Sequence, residues 1–208
     1  MPLYKSIAID DETHVLVWHI TESENELKKD IVLEDYSKGR IQKMKSELHR
    51  RAYYSVRHLL AIAQYTDKDL IYNEHGKPSL SDGVHVSITH SHEYAAIVLS
   101  GKKVGIDIEK QREKINLIAH KFVNDKEQEY LGDLSSNLVK AHTLIWCAKE
   151  SIYKLFGEKG VSFKEHMVVS PFSLKNLNTR AGINYNTEIA YFDVHAIEFN
   201  GFTMAIVL

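Results

Sequence analysis

The stretch Gly101-Lys102-Lys103-Val104-Gly105-Ile106-Asp107-Ile108-Glu109-Lys110-Gln111-Arg112 decides how the rest of the chain is read. Val104, Ile106 and Ile108 alternate with Gly105, Asp107 and Glu109, so as a β-strand the segment sets an aliphatic face against a face carrying both carboxylates. Two acids on alternate positions of a strand can close on one cation. They equally suit the exposed polar face of an ordinary half-buried strand.

Working outward toward the N-terminus, residues 94–99 and 84–88 read as strands around the polar Thr89-His90-Ser91-His92-Glu93. Before them, residues 71–78 are a turn marked by Gly76 and Pro78, and residues 41–64 a helix with apolar positions at three- and four-residue steps. Residues 24–36 are weakly helical, and residues 6–9 and 15–20 are strands joined at Asp10-Asp11-Glu12. Toward the C-terminus, residues 117–122 and 126–131 look helical, residues 132–137 break the pattern, and residues 138–156 form a long helix. Its stripe is Leu138, Ala141, Ile145, Ala148, Ile152 and Leu155. Strands follow at 167–170, 189–196 and 202–208, with a polar loop at 174–186.

Ala96-Ile97-Val98-Leu99 recurs as Ala205-Ile206-Val207-Leu208, and each copy closes a strand downstream of a long helix. The repeated order predicts an α+β fold of two similar lobes, residues 1–102 and 103–208, related by a pseudo-two-fold axis with the ligand site in the cleft between them.

Composition narrows the function. The 208 residues are 44% hydrophobic and 26% charged, the balance of an ordinary globular chain large enough to bury a core. The single cysteine, Cys147, excludes an intrachain disulfide and a thiolate zinc cluster, which fits a reducing cytoplasm. The start, Met1-Pro2-Leu3-Tyr4-Lys5, lacks the pattern of a secretory signal, and no apolar run is long enough for a membrane span. A formal charge of -2 excludes a general nucleic-acid binder. Between residues 38 and 57, however, Lys38, Arg40, Lys43, Lys45, Arg50, Arg51 and Arg57 face a single acid, Glu47. That local excess suits an anionic partner or a solvated helix face.

On the long helix Trp146, Glu150 and Lys154 recur every four residues, off the apolar stripe. Glu150 and Lys154 are in the favourable order for a surface ion pair. Trp146 in line with them implies that the face is partly covered, and a covered Glu150 needs a cation. Asp107, Glu109 and Glu150 together make an oxygen donor set suited to Mg²⁺ and, through it, to phosphate groups. His90 and His92 could ligate zinc or copper, but with Thr89 and Ser91 beside them anion contacts are preferred, with simple turn polarity also open.

Taken in order, Gly76-Lys77-Pro78, Ser87-Ile88-Thr89-His90-Ser91, Val104-Gly105-Ile106-Asp107-Ile108-Glu109, Phe122 with Glu127, and Trp146-Cys147-Ala148-Lys149-Glu150-Ser151-Ile152-Tyr153-Lys154 resemble the 4'-phosphopantetheinyl transferases of the surfactin-synthetase-activating type. The likeness is dense over residues 76–160, and the length matches the two-lobed, monomeric members. The resemblance implies transfer of the phosphopantetheinyl arm of coenzyme A to a serine of an apo acyl or peptidyl carrier protein, giving adenosine 3',5'-bisphosphate. It implies that Asp107, Glu109 and Glu150 hold Mg²⁺, and that Lys154 neutralises the leaving phosphate. Glu150, or a water that it positions, would accept the serine proton, with Glu127 the competing candidate. Lys77 and His90 would meet the nucleotide and its 3'-phosphate, with Gly76 and Pro78 shaping the loop near adenine. Arg51, rather than Arg50, would add a 3'-phosphate contact, and Thr89 and Lys149 are counted among the coenzyme A contacts. Ser87 and Thr89 depart from the usual Asn and Ser of the motif, and His92 has no counterpart. A Mg²⁺-dependent nucleotide phosphohydrolase and a noncatalytic coenzyme A or carrier-binding module are the alternatives.

Overall fold

The computed structural model describes residues 3–208; Met1 and Pro2, which open the stretch read for a signal, lie outside the described residues. The chain divides into two compact units, the first ending at Lys103 and the second beginning at Val104. Each is a mixed α+β unit, the fold class that the pattern predicts.

In the first unit β1 (Leu3–Asp10) and β2 (Thr13–His19) lead to α1 (Glu24–Lys28), α2 (Asp35–Lys43) and α3 (Glu47–Ile62). Then come β3 (Leu70–Tyr72), β4 (Pro78–Leu80), β5 (His85–Ser91) and β6 (Tyr94–Ser100). Four strands form an antiparallel sheet in the order β1-β2-β6-β5, and β3 with β4 makes a separate hairpin. Ala52, Val56, Leu59 and Leu60 of α3 pack on Leu16, Trp18, Ala95 and Ile97 of the sheet, so apolar burial fixes the helix across β2 and β6.

The helix expected over residues 41–64 is two helices. Met44 and Ser46 take extended backbone, and Arg50 donates through Nη1 to the carbonyls of Met44 (2.9 Å) and Lys45 (3.1 Å), satisfying the groups that the break exposes. Arg50 Nε also grips both carboxylate oxygens of Glu24, at 3.0 and 2.9 Å. The weakly helical stretch at 24–36 is helical only in α1 and in the start of α2. Nor do all the basic residues of this region face solvent. Arg57, 3% exposed, pairs with Asp67 at 2.8 Å, and its Nη2 donates to Tyr53 Oη at 2.6 Å. Tyr53 donates to Ser37, Ser37 donates to Asp67, and Asp67 also accepts the Glu34 N–H, so the network pins α2 to α3.

The second unit starts with β7 (Gly105–Lys110), followed by α4 (Lys114–Ile118), α5 (Asp125–Leu131), α6 (Leu138–Phe156) and α7 (Phe163–His166). It closes with β8 (Met167–Val169), β9 (Thr179–Tyr185), β10 (Glu188–Phe199) and β11 (Phe202–Val207). The five strands run β7-β11-β10-β9-β8, each antiparallel to its neighbours. Asn200 and Gly201, with φ 48° and 75°, form the tight turn between β10 and β11. The residues expected to form the long helix are those of α6, which stops at Gly157 in the left-handed region. Residues 174–186, read as a polar loop, contain β9; its Gly182 lacks the side chain that would reveal a strand and instead receives the Tyr191 ring. Among the described residues no helix is long and apolar enough to cross a membrane.

Replacing Asp67 by Ala strands the Arg57 guanidinium in the interior. Denaturant unfolding should show a loss of about 3–5 kcal/mol, and a loss within error of zero would contradict the pinning role.

Candidate functional site

Close contact between α6 and β7 builds the candidate site. A Cβ added to Gly105 would stand 1.9 Å from the backbone oxygen of Ser151, so glycine is required for the helix to lie this near the strand. Asp107 and Glu109 share the Gly105 face of β7 and therefore point to the side that α6 covers. Ser151 Oγ bonds the carbonyls of Cys147 (2.7 Å) and Ala205 (3.0 Å), and Cys147 Sγ lies 3.5 Å from the Thr203 carbonyl, which fixes the helix over β11 as well. The carboxylate face of the strand is thus not open surface: Asp107 is 6% exposed.

On the covered face, Trp146, Glu150 and Lys154 follow one another along α6 as the spacing requires. Lys154 does not remain a surface partner of Glu150; its Nζ lies 2.7 Å from Asp107 Oδ1 and 2.9 Å from the Ile106 carbonyl. Glu150 is pushed up from the ordinary carboxyl value to about 7. Burial is the largest cause; the Asp107 and Glu109 charges add to it and Lys154 opposes it. Glu150 therefore lies within electrostatic reach of both Asp107 and Glu109. Among the described residues no group of three or more His, Cys, Asp or Glu side chains is gathered so as to hold a metal ion, and the Lys154 ammonium takes up an oxygen of Asp107. The carboxyl of Glu150, raised beside Asp107 and Glu109, is the kind of oxygen donor that a hard cation such as Mg²⁺ would draw into its ionised form.

Beside Glu109 opens a groove of about 230 Å³, lined by Trp146, Thr143, Ile115 and Ile118 and edged by Lys110, Arg112 and Lys114. Its apolar walls and basic rim suit a chain that is largely uncharged but attached to an anion.

Lys149 and Glu127 are fully buried. Lys149 Nζ lies 2.7 Å from Glu127 Oε2 and donates to the carbonyls of Phe122 (2.6 Å) and Phe163 (3.0 Å). The Glu127 oxygens also accept the N–H groups of Asn124 and Val169, each at 2.8 Å. Burial raises the Glu127 carboxyl and lowers the Lys149 ammonium, each held back by the other's charge. Every atom of the pair that could do chemistry faces inward.

Within the first unit, Asn73 Oδ1 accepts the N–H groups of His75 (3.0 Å) and Lys77 (2.9 Å), and Gly76 completes the β3–β4 turn at φ 81°. Pro78 then opens β4. Thr89 is buried and His90 exposed on β5, as strand alternation demands. His92, which the motif left without a counterpart, occupies the β5–β6 turn at φ 50°, a conformation that histidine tolerates better than most residues. Arg51 donates through Nη2 to the Ile20 carbonyl at 3.1 Å, while its Nε is buried without a hydrogen-bond partner. His49 on α3 brings its ring within 5.6 Å of the His90 ring. Only the fold reveals that proximity, since nothing in the local pattern links the two residues.

The family model described as the 4'-phosphopantetheinyl transferase superfamily matches residues 103–207, from just before β7 to the end of β11. The chain belongs to this superfamily. The likeness that the ordered motifs suggested therefore holds at superfamily level. Asp107, Glu109, Glu127, Trp146, Lys149, Glu150 and Lys154 all fall inside the matched segment; Arg51, Gly76, Lys77, Pro78, Thr89 and His90 precede it. Among curated relatives, the 4'-phosphopantetheinyl transferase gsp of Aneurinibacillus migulanus is 30% identical over 105 residues, 49% of this chain and 44% of that protein. Enterobactin synthase component D of Salmonella typhi is 34% identical over 85 residues, 40% of this chain and 36% of that protein. The same component from Salmonella typhimurium is 33% identical over 85 residues. The matched region thus spans less than half the length of these relatives.

Gly105→Ala tests the close approach. Its methyl cannot coexist with the Ser151 carbonyl, so equilibrium unfolding should lose about 3 kcal/mol or more. An unchanged midpoint would show that the helix does not depend on the glycine.

Proposed function

We propose that this chain transfers the 4'-phosphopantetheine group from coenzyme A to a serine of an apo acyl or peptidyl carrier protein, releasing adenosine 3',5'-bisphosphate, with Mg²⁺ required. The observation that carries this reading is the cluster of Asp107, Glu109 and Glu150 beside Lys154, inside the segment matched by the superfamily. Asp107, Glu109 and Glu150 would hold Mg²⁺, which when bound would neutralise charge on the pyrophosphate oxygens. Lys154 would place its ammonium on the phosphate that leaves. The serine oxygen attacks the phosphorus bearing the pantetheine arm, the bond from that phosphorus to the leaving phosphate oxygen breaks, and Glu150 or a water that it positions takes the serine proton. Alignment and charge neutralisation supply most of what such a transfer needs, so Cys147, buried, has no nucleophilic part to play.

We assign Glu127 and Lys149 a different role from the one the motifs suggested. Buried and bonded to each other, they brace α5, α6 and β8 and leave proton acceptance to Glu150. The groove beside Glu109 would take the uncharged, amphipathic pantetheine arm, and its basic rim would face the acidic surface of a carrier. At the nucleotide end, Lys77, Thr89, His90 and Arg51 would contact the 3'-phosphate side of coenzyme A, with Gly76 and Pro78 shaping the adenine loop. Arg51 is preferred to Arg50 because Arg50 is committed to Glu24 and to the helix break. His49 joins this group through its proximity to His90. The enzyme would act in the cytoplasm as a monomer, without nucleic-acid or membrane partners.

Incubation with coenzyme A, Mg²⁺ and an apo carrier should raise the carrier's mass by one phosphopantetheinyl group. Asp107→Ala should reduce the rate by about a hundredfold or more while the protein stays folded by circular dichroism. Phosphate release without a carrier would point to a phosphohydrolase, and coenzyme A binding without transfer to any of several carriers would point to a binding module. Either result overturns the proposal.

A further inference from the structure

α4 forms one wall of the groove beside Glu109, yet little in its own sequence holds it there. It has five residues, too few for a stable isolated helix, and none of them is buried. Ile115 and Ile118 pack on the core only at its margin. Between them, Asn116 Oδ1 lies 2.8 Å from Nδ1 of His142 on α6. Asn116 Nδ2 donates to Glu113 Oε2 at 3.1 Å, which orients Oδ1 as the acceptor and so assigns the hydrogen to His142 Nδ1. His142 is 7% exposed, and its ring meets Phe122 edge-on, with centroids 6.3 Å apart at 88°. Phe122 in turn meets Trp146 edge-on at 5.1 Å. One imidazole is therefore packed into the aromatic cluster behind the groove and bonded to the helix that forms its wall.

We propose that His142 is a positioning residue: through its Nδ1–H bond to Asn116 it latches α4 against α6, and so holds the Ile115–Ile118 wall in place beside Glu109 and Trp146. The latch follows from the contacts alone; its consequence for turnover rests on the reading of the groove as the site of the pantetheine arm. Releasing it lets α4 swing outward and exposes the Trp146 indole, while Glu150, Asp107 and Lys154, fixed by the Gly105 contact, stay where they are.

The chain has two tryptophans, and Trp18 is 3% exposed, so acrylamide quenching reports on Trp146. His142→Phe keeps the ring packing but removes the donor; Asn116→Ala removes the acceptor from a helix that buries nothing, which makes it the safer variant for folding. In both, the quenching constant should rise about twofold with little change in the unfolding midpoint. His142→Asn, which returns an N–H near the place of Nδ1, should restore most of the protection. Unchanged quenching in His142→Phe and Asn116→Ala, or no rescue by His142→Asn, would overturn the latch. In transfer assays the KM for coenzyme A should rise several-fold while kcat stays within about twofold. Raised quenching with unaltered kinetics would uphold the latch and contradict the placing of the arm in the groove. Raised quenching in a protein whose wild type transfers nothing would uphold the latch and sink only the transferase reading.

Discussion

The contact between Ser151 and the bare backbone of Gly105 is the constraint on which the second unit's site depends. It brings α6 so near β7 that Glu150 is partly buried beside Asp107 and Glu109, and burial first, with their charges added, raises its carboxyl. A surface strand with two acids would carry no such shift. Lys154 relieves part of it by pairing with Asp107, and a divalent cation would relieve more. Chemistry and packing are thus set by one residue that contributes no side chain.

Within each unit the fold is braced by a buried ion pair. Lys149 with Glu127 ties α6 to α5 and β8, and Arg57 with Asp67 ties α3 to α2. Each pair accepts or donates further hydrogen bonds beyond the ion pair itself, which is the condition under which buried charge is tolerated. Adjacent residues of one helix consequently divide the work. Lys149 faces inward and holds the helix; Glu150, only partly buried, lies beside Asp107 and Glu109.

Much of this was legible in the sequence where apolar periodicity was strong. The α6 stripe gave its ends, and the alternation around Asp107 gave β7, although alternation alone could not say that the acidic face is roofed by a helix. The break at Met44–Ser46 was hidden because the three- and four-residue steps of the apolar pattern continue across it; the bonds that permit it come from Arg50, which read as surface charge. β9 was hidden by Gly182, whose missing side chain is filled by Tyr191 from the neighbouring strand. Glu127 and Lys149 entered through the resemblance of their motifs, which does not say which way a side chain faces; in the fold both are fully buried and paired with each other. The roles assigned to Asp107, Glu109, Glu150 and Lys154 drew on the resemblance of their motifs to a family; the fold adds that Lys154 pairs with Asp107 and that Glu150 feels the charges of Asp107 and Glu109.

The central proposal is that Asp107, Glu109 and Glu150 take up one cation, and its most direct test is thermal unfolding with and without saturating Mg²⁺ as a function of pH. Because Glu150 titrates at about 7 in the fold against an ordinary 4.5, the native state binds more protons in that interval, and its stability falls as pH rises through it. The penalty is complete above about pH 7, and Mg²⁺ bound to the ionised cluster should remove it. The account predicts a Mg²⁺-induced rise in Tm that is larger at pH 8 than at pH 6 and absent in Asp107→Ala. No Mg²⁺ effect at pH 8, or an equal effect in the variant, would contradict it.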